Sequence, residues 1–170
     1  MTDARAAERF REIVLPHLAD ALALAKWLTG SAHDAEDVVQ EACIRALKAI
    51  DSYQGRGARA WLLSIVRNTC FTWLAKNRPD SANDQAEFED AEADQPSPEA
   101  ALIEKAERAA IEAAIQSLPR PFIEVLVLRD INEMSYKEIA SMLSIPIGTV
   151  MSRLARARAL LADDLRRSLR

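Results

Sequence analysis

One stretch, residues 135–161, constrains the fold more than any other part of the chain. Its sequence is SYKEIASMLSIPIGTVMSRLARARALL. Ser135 and Glu138 stand at the spacing of a capping box, in which a hydroxyl and a carboxylate satisfy the free amides of a first helical turn. Four apolar residues then follow at i, i+3, i+4 and i+7 and predict one buried face: Tyr136, Ile139, Ala140 and Leu143. The pattern predicts a short amphipathic helix.

A second helix is predicted directly after a tight turn. Ser144 and Ile145 form the turn, and Pro146 suits a first helical turn because its φ is already helical and its missing N–H breaks no bond. The helix therefore starts near Ile147. Its packing stripe consists of residues spaced by three and four: Ile147, Val150, Leu154, Ala157 and Leu161. The two helices together indicate a helix-turn-helix.

The opposite face of the second helix carries small and polar side chains, which allow a helix to enter a groove. Ser152 and Arg156 can reach base edges there, and Thr149 can reach a phosphate at the helix N-terminus. Arg153 and Arg158 flank this face as phosphate contacts. Spacing alone leaves two interpretations open, a DNA-binding face and an ordinary helical hairpin with solvated arginines.

The charge distribution favours nucleic-acid binding although the net charge is −4. Between Asp80 and Glu104 the chain has nine acidic residues and no Lys or Arg. Outside this stretch 22 basic residues stand against 17 acidic ones, a net charge of +5. Positive charge is therefore available on the rest of the molecule.

The N-terminal part reads as a helical domain. Residues 2–28 are predicted to be helical, with Pro16 starting, kinking or dividing the segment. Gly30 ends it, and Ser31 caps a helix that runs to about Ile50. The predicted buried residues are Phe10, Val14, Leu18, Ala21, Leu22 and Ala25 in the first segment, then Val39, Cys43, Ala46 and Ile50 with Ala42 and Leu47 beside them.

Residues 52–79 contain no acid but combine five basic side chains with four aromatic rings. This composition is typical of segments that bind single-stranded nucleic acid, where charge follows the phosphates and rings stack on bases. The segment divides into a glycine-containing loop and a helix from about Arg59 to Lys76. Helical spacing places Trp61 and Trp73 in the core, so Tyr53, at the start of the loop, is the better candidate for stacking.

The acidic, proline-containing stretch that follows cannot bury enough apolar surface to fold alone, and we expect a flexible linker. The predicted fold class is all-α, with two small helical domains joined by this acidic linker. The boundaries are 1–79, 80–99 for the linker, and 100–170 for a domain that contains the helix-turn-helix. The last domain begins with a helix through Ile111, Ala114, Ile115 and Leu118 that breaks at residues 119–121.

Several functional classes are not expected. Cys43 and Cys70 lie far apart among apolar residues, which predicts buried thiols. No cluster at ligand spacing predicts a metal site, no glycine-rich phosphate loop or nucleophile–base pair predicts an enzyme, and no cofactor is expected. No apolar run has the length of a membrane span, and the N-terminus lacks the order of a signal peptide, so a cytoplasmic location is expected.

Three stretches resemble a known family when taken together. They are DAEDVVQEACIRAL (34–47), AWLLSIVRNTC (60–70) and EIASMLSIPIGTVMSRLARAR (138–158). Their sequences and order resemble bacterial RNA polymerase sigma factors of the extracytoplasmic-function (ECF) type. Departures from the family pattern are Tyr53, where phenylalanine is frequent, Thr72, where Asp or Asn is common, and Met151, where a basic residue is common.

The resemblance implies a sigma factor for a stress or envelope regulon that directs promoter recognition, promoter melting and transcription initiation. Implied partners are promoter DNA, core RNA polymerase through the clamp helices of its largest subunit and its flap region, and an anti-sigma factor. The core-polymerase positions are Asp37, Gln40 and Glu41. The minus-ten positions are Tyr53, Arg56, Arg59, Trp61, Arg67 and Asn68. The minus-thirty-five positions are Tyr136, Lys137, Thr149, Ser152, Arg153, Arg156 and Arg158.

Two alternatives remain open at this stage. A stand-alone DNA-binding regulator would use the helix-turn-helix but would leave the basic, aromatic 52–79 segment without a role. A sigma mimic that sequesters an anti-sigma factor would not need the arginines of the second helix. Binding to core polymerase separates both alternatives from a sigma factor.

Overall fold

The computed structural model describes residues 3–78 and 98–168, which form eight α-helices and no strand. The predicted all-α class is therefore confirmed for this part of the chain. The helices are α1 (Asp3–Ile13), α2 (Leu18–Thr29), α3 (Ala32–Lys48), α4 (Ala58–Asn77), α5 (Pro98–Gln116), α6 (Arg120–Leu126), α7 (Tyr136–Leu143) and α8 (Ile147–Ser168). Short 3-10 turns occupy Leu15–His17 and Ile50–Ser52, and a π-helical turn, Val127–Ile131, continues α6.

The predicted helix ends are largely confirmed. Pro16 lies in the 3-10 turn that divides α1 from α2. Gly30 ends α2 with φ 72°, a left-handed conformation that glycine adopts without steric cost. The Ser31 hydroxyl accepts a hydrogen bond from the Asp34 amide at 3.3 Å and caps α3. This helix ends at Lys48, two residues earlier than predicted.

The helix-turn-helix is formed as predicted. The Ser135 hydroxyl accepts from the Glu138 amide at 3.1 Å, and the Glu138 carboxylate accepts from the Ser135 amide at 3.2 Å. Ser144 takes φ 54° and ends α7, and α8 begins at Ile147. The turn between the helices thus depends on a left-handed backbone conformation at Ser144, a residue other than glycine.

In the first domain α2, α3 and α4 pack against one another and enclose a core of small and branched apolar residues. Most of the predicted stripe is buried, but Leu22 and Leu47 are exposed, which corrects their assignment to the core. Both lie at the edge of a stripe, where the neighbouring helices do not reach. Cys70 is buried and Cys43 is half-buried, and burial raises the pKa of the Cys70 thiol to about 12.

In the second domain α8 is the central helix and contacts α5, α6 and α7. Val150, Leu154 and Ala157 are buried on this face, as predicted. Ile147 is 49% exposed, so its assignment to the packing stripe of α8 was wrong, and Ile111 of α5 is 44% exposed. Ile147 is the first residue of α8, where its side chain projects beyond the packed part of the helix.

The first helix of the second domain overlaps the end of the predicted linker. It begins at Pro98, within the last two residues of the predicted linker. Proline suits this position because the first amides of a helix have no intrahelical partner. The prediction of a flexible linker over residues 80–97 lies outside the described residues.

The two domains contact each other directly. Helix α2 packs against α6 and the π-helical turn, and α4 contacts α7, so that buried residues of both domains form one continuous apolar core. The Asn132 side-chain amide donates to the Asp20 carbonyl at 3.1 Å, and that of Gln116 donates to the Trp27 carbonyl at 2.9 Å. Side chains of the second domain therefore hydrogen-bond to the backbone of α2.

An ion pair between Arg67 of α4 and Glu124 of α6 also spans this interface. Glu124 is 5% exposed, and Arg67 lies over the Phe71 ring at 4.7 Å from its centroid. The guanidinium of Arg120 approaches the same ring at 5.4 Å, so Phe71 joins cations from both domains. A carboxylate buried to this degree needs its counterion, so this pair depends on contact between the two domains.

Candidate nucleic-acid interface

The outer face of α8 presents the predicted base-reading side chains to solvent. Ser152 and Arg156 are exposed and lie one helical turn apart on the same ridge. Arg153 beside them is half-buried. Across residues 3–78 and 98–168, neither Arg153 nor Arg156 forms an ion pair, so both guanidinium groups have donors to offer a ligand.

Arg158 is placed differently from the other arginines of α8. Its Nη2 and Nε donate to the two carboxylate oxygens of Asp130 at 2.6 and 3.2 Å. The hydrogen bonds that Arg158 donates to the Asp130 carboxylate raise the pKa of Arg158 above its usual value. This pair joins α8 to the π-helical turn, so Arg158 has a structural partner in addition to its predicted phosphate contact.

The remaining residues of the predicted minus-thirty-five set lie in the first turns of α7 and α8. Lys137 is exposed and Thr149 is half-buried. Tyr136 is also half-buried, packs against the core, and has the Arg129 guanidinium 4.9 Å from its ring centroid. The Tyr136 ring is thus held by the second domain, whereas Lys137 extends freely toward solvent.

The surface around the helix-turn-helix is strongly positive. The sequence has no acidic residue between Glu138 and Asp163, and three arginines of α8 fall in this interval. Because α8 buries its other side on three helices, Ser152, Ala155 and Arg156 are exposed on one surface. This arrangement suits a polyanion in contact with the N-terminal half of α8.

A second exposed feature is the loop between the Ile50–Ser52 turn and α4. Tyr53 opens it and stacks at a tilt on Trp61, with ring centroids 5.1 Å apart. Gly55 and Gly57 take φ 80° and 63°, and a Cβ at either position would meet no atom within 4 Å. The two rings are half-buried rather than enclosed, so the prediction that Trp61 lies in the core is only partly correct.

The predicted minus-ten set divides into two groups in the structure. Arg56 and Asn68 are exposed. Arg59 donates to the Glu133 carbonyl at 3.4 Å, and Arg67 pairs with Glu124. Two of the predicted strand-binding arginines are therefore occupied by the second domain.

The outer face of α3 carries the predicted polymerase-binding residues. Asp37, Gln40 and Glu41 are all exposed. Ile44 and Leu47, 50% and 44% exposed, extend the same face by another turn. Sequence reasoning missed Ile44 as a surface residue, although its position outside the buried stripe could have revealed it. Exposed apolar side chains next to acids are typical of a protein-binding surface.

No group of His, Cys, Asp and Glu within the described ranges is arranged to hold a metal ion. None of the helices in those ranges is long and apolar enough to span a bilayer. The candidate sites described above are three surfaces: the outer face of α8, the Tyr53 loop with α4, and the outer face of α3.

The comparisons with known proteins match both domains. A family model described as Sigma-70 region 2 matches residues 13–79, and one described as Sigma-70, region 4 matches residues 108–161. The first match includes the Tyr53 loop and the α3 face, and the second includes the helix-turn-helix.

Two individual proteins and one solved structure show the same similarity to sigma factors. The chain is 33% identical over 166 residues to the ECF RNA polymerase sigma factor SigE of Mycolicibacterium smegmatis, covering 96% of this chain but only 64% of that relative. It is 36% identical over 170 residues to the RNA polymerase sigma-H factor of Pseudomonas aeruginosa, covering 95% of this chain and 88% of the relative. The sigma factor RpoE of Bartonella quintana has been solved in complex with the anti-sigma factor NepR. Its structure superposes on this chain with a TM-score of 0.73 at 27% identity, and the match covers 92% of this chain and 96% of RpoE. The chain belongs to the ECF-type RNA polymerase sigma factors.

Proposed function

We propose that this chain binds core RNA polymerase, directs it to promoters of a stress or envelope regulon and takes part in melting the promoter DNA. The observation that carries the proposal is the combination of a basic helix face, a loop with two half-buried aromatic rings, and a separate face with acids and exposed apolar side chains. The α8 face suits a duplex groove, and the Tyr53 loop suits unstacked bases. A stand-alone regulator would need only the first of these surfaces.

The assigned roles follow from the chemistry of each surface. Ser152 and Arg156 read bases of the minus-thirty-five duplex, with Lys137, Thr149 and Arg153 on phosphates. The aromatic pair of Tyr53 and Trp61 captures a base that leaves the minus-ten duplex, so that binding energy favours the separated strands. Melting by this route needs no hydrolysis, and the chain acts without catalysis of its own, in the cytoplasm with the polymerase.

An anti-sigma factor is a further proposed partner. The solved relative RpoE was crystallised with such a protein. In this chain, a regulator that holds the two domains together would keep Arg59 and Arg67 occupied by their partners in the second domain. It would block strand capture without touching α8.

The closed arrangement of the two domains is proposed as the polymerase-free form. Elements named minus ten and minus thirty-five lie about 25 base pairs apart, or roughly 85 Å along B-DNA. A closely packed chain of this length is only roughly 40 Å across. One molecule can therefore bind both elements only after the domains separate, and separation also releases Arg59 and Arg67 for DNA.

Association with core polymerase is the first test of the proposed function. Purified full-length chain should co-elute with core polymerase in gel filtration, and Ile44→Asp should prevent co-elution because it places a charge in the apolar part of the α3 face. Leu102→Ala, on the exposed side of α5, serves as the control and should co-elute normally. Failure of the folded wild-type chain to bind core polymerase would refute the sigma-factor function proposed for it.

Base reading by α8 predicts a loss confined to promoter recognition. Arg156→Ala should weaken holoenzyme binding to a minus-thirty-five duplex by about 1–3 kcal/mol if the guanidinium makes a bidentate base contact. Gel filtration should show normal assembly with core polymerase. Arg167→Ala, an exposed arginine three turns along the same helix, should have a much smaller effect. Equal losses in the two variants would indicate a general charge effect.

Strand capture predicts that Tyr53 affects opening and not duplex binding. Tyr53→Ala should remove about 1–3 kcal/mol of base stacking and reduce permanganate reactivity of thymines near the start site, while the minus-thirty-five duplex binds as before. Tyr53→Phe keeps the ring and should open promoters normally. If Tyr53→Ala impairs duplex binding and opening equally, the loop has a structural role.

The Arg67–Glu124 pair predicts a shift between closed and open forms. Glu124→Ala leaves Arg67 without its counterion at the interface, which should cost about 2 kcal/mol, roughly a thirtyfold shift toward the open form. Small-angle scattering of the free chain should show a larger radius of gyration for Glu124→Ala than for the wild type. The exposed control Glu107→Ala should keep the wild-type radius. Tighter binding of a single-stranded minus-ten oligonucleotide should accompany the change. An unchanged radius together with unchanged oligonucleotide binding would contradict a role of the Arg67–Glu124 pair in holding the domains closed.

A further inference from the structure

Two large apolar side chains remain exposed on the helix that is proposed to enter the groove. Ile147 is 49% and Met151 is 52% exposed, and neither is among the apolar residues that pack against the core. They stand four residues apart, so they form one ridge that continues to the exposed Ala155. We call Ile147, Met151 and Ala155 the apolar ridge. Because the apolar ridge does not stabilise the fold by burial, its side chains are available to contact a ligand.

The apolar ridge runs beside the ridge of Gly148, Ser152 and Arg156. A Cβ at Gly148 would meet no atom within 4 Å, so the space between the two ridges is open at the N-terminal end of α8. A ligand that contacts Ser152 and Arg156 therefore contacts Met151 as well. The two ridges form one reading surface, apolar on one side and polar on the other.

The charge around the apolar ridge indicates what kind of ligand covers it. The interval from Glu138 to Asp163 contains no acidic residue, and Arg153 and Arg156 have no ion-pair partner among the described residues. A protein patch with an apolar centre would have to leave these cations facing solvent or supply acids for them. Double-stranded DNA supplies phosphates on both sides of the groove and fits the cations directly.

In the major groove a base pair displays a single kind of apolar group, the C5-methyl of thymine. We propose that Ile147 and Met151 recognise thymine methyl groups in the minus-thirty-five duplex, next to the base pairs read by Ser152 and Arg156. The inference rests on the proposed function of α8 and adds a specificity that hydrogen bonding cannot provide. It makes Met151 a specificity-determining residue and assigns thymine to the positions beneath the apolar ridge.

Replacement of thymine by uracil tests this directly because it removes the methyl group and leaves all hydrogen-bonding groups in place. Holoenzyme formed with the full-length chain is first used to select a duplex from a library randomised in the minus-thirty-five region. Each thymine of the selected duplex, on either strand, is then replaced by uracil one at a time. Equilibrium binding of every duplex is measured for the wild type, Ile147→Ala, Met151→Ala and the control Leu102→Ala.

The expected result is position-specific. One or two uracil substitutions should weaken wild-type binding by about fourfold each, the factor for burial of one carbon-sized apolar group. Met151→Ala or Ile147→Ala should bind the thymine duplex about as weakly as the wild type binds the uracil duplex, with no further loss when both changes are combined. Leu102→Ala should keep the wild-type sensitivity. Because both side chains are exposed, their replacement should leave thermal unfolding unchanged.

Four results would overturn the inference, and they are distinguishable. If the wild type binds the selected duplex but no uracil substitution matters, thymine methyl groups are not read, and the proposed sigma function stands. If methyl sensitivity persists in the Ile147→Ala, Met151→Ala double variant, another side chain reads the methyl group. If the single variants weaken association with core polymerase while uracil has no effect, the apolar ridge binds protein. Holoenzyme that selects no duplex at all would refute both the inference and the proposed function.

Discussion

The second domain depends on the burial of one face of α8. Three helices cover Val150, Leu154 and Ala157, and with them α8 acquires a fixed rotation about its own axis. A helix that buries one face must present the other, so the same contacts that stabilise the domain place Ser152 and Arg156 in solvent. The stability of the domain and the recognition proposed for α8 are in this way two results of one amphipathic pattern.

The interface between the domains contains specific polar contacts in addition to apolar packing. Its polar contacts join side chains of one domain to backbone carbonyls or a single carboxylate of the other. Asn132 is nearly fully buried, and its Oδ1 has no hydrogen-bond partner among the described residues. Buried polar groups of this kind contribute little net stability but are costly when mismatched, so they specify one docked arrangement without making it permanent.

Local features of the fold could be read from the sequence because each depends on neighbouring residues. The capping box of Ser135 and Glu138, the left-handed Gly30 and the division at Pro16 are all of this kind. Burial at the margins of a stripe was less accessible: Leu22, Ile111 and Ile147 share the periodicity of core residues but have no neighbour to cover them. The Arg67–Glu124 pair joins positions 57 residues apart, and no single-sequence pattern relates them. Only the acid within the apolar run from Phe122 to Leu128 indicated that a buried partner was required.

The pairing of Arg158 with Asp130 has a consequence for the kinetics of recognition. Two hydrogen bonds join the middle of α8 to the turn that follows α6, and together with the burial of Val150, Leu154 and Ala157 they oppose rolling or sliding of the helix. The conformational entropy of orienting the reading surface is lost during folding and need not be lost again on encounter with DNA. DNA of a correct or an incorrect sequence then meets the same rigid helix surface. We expect the two complexes to differ mainly in their dissociation rates and little in their association rates.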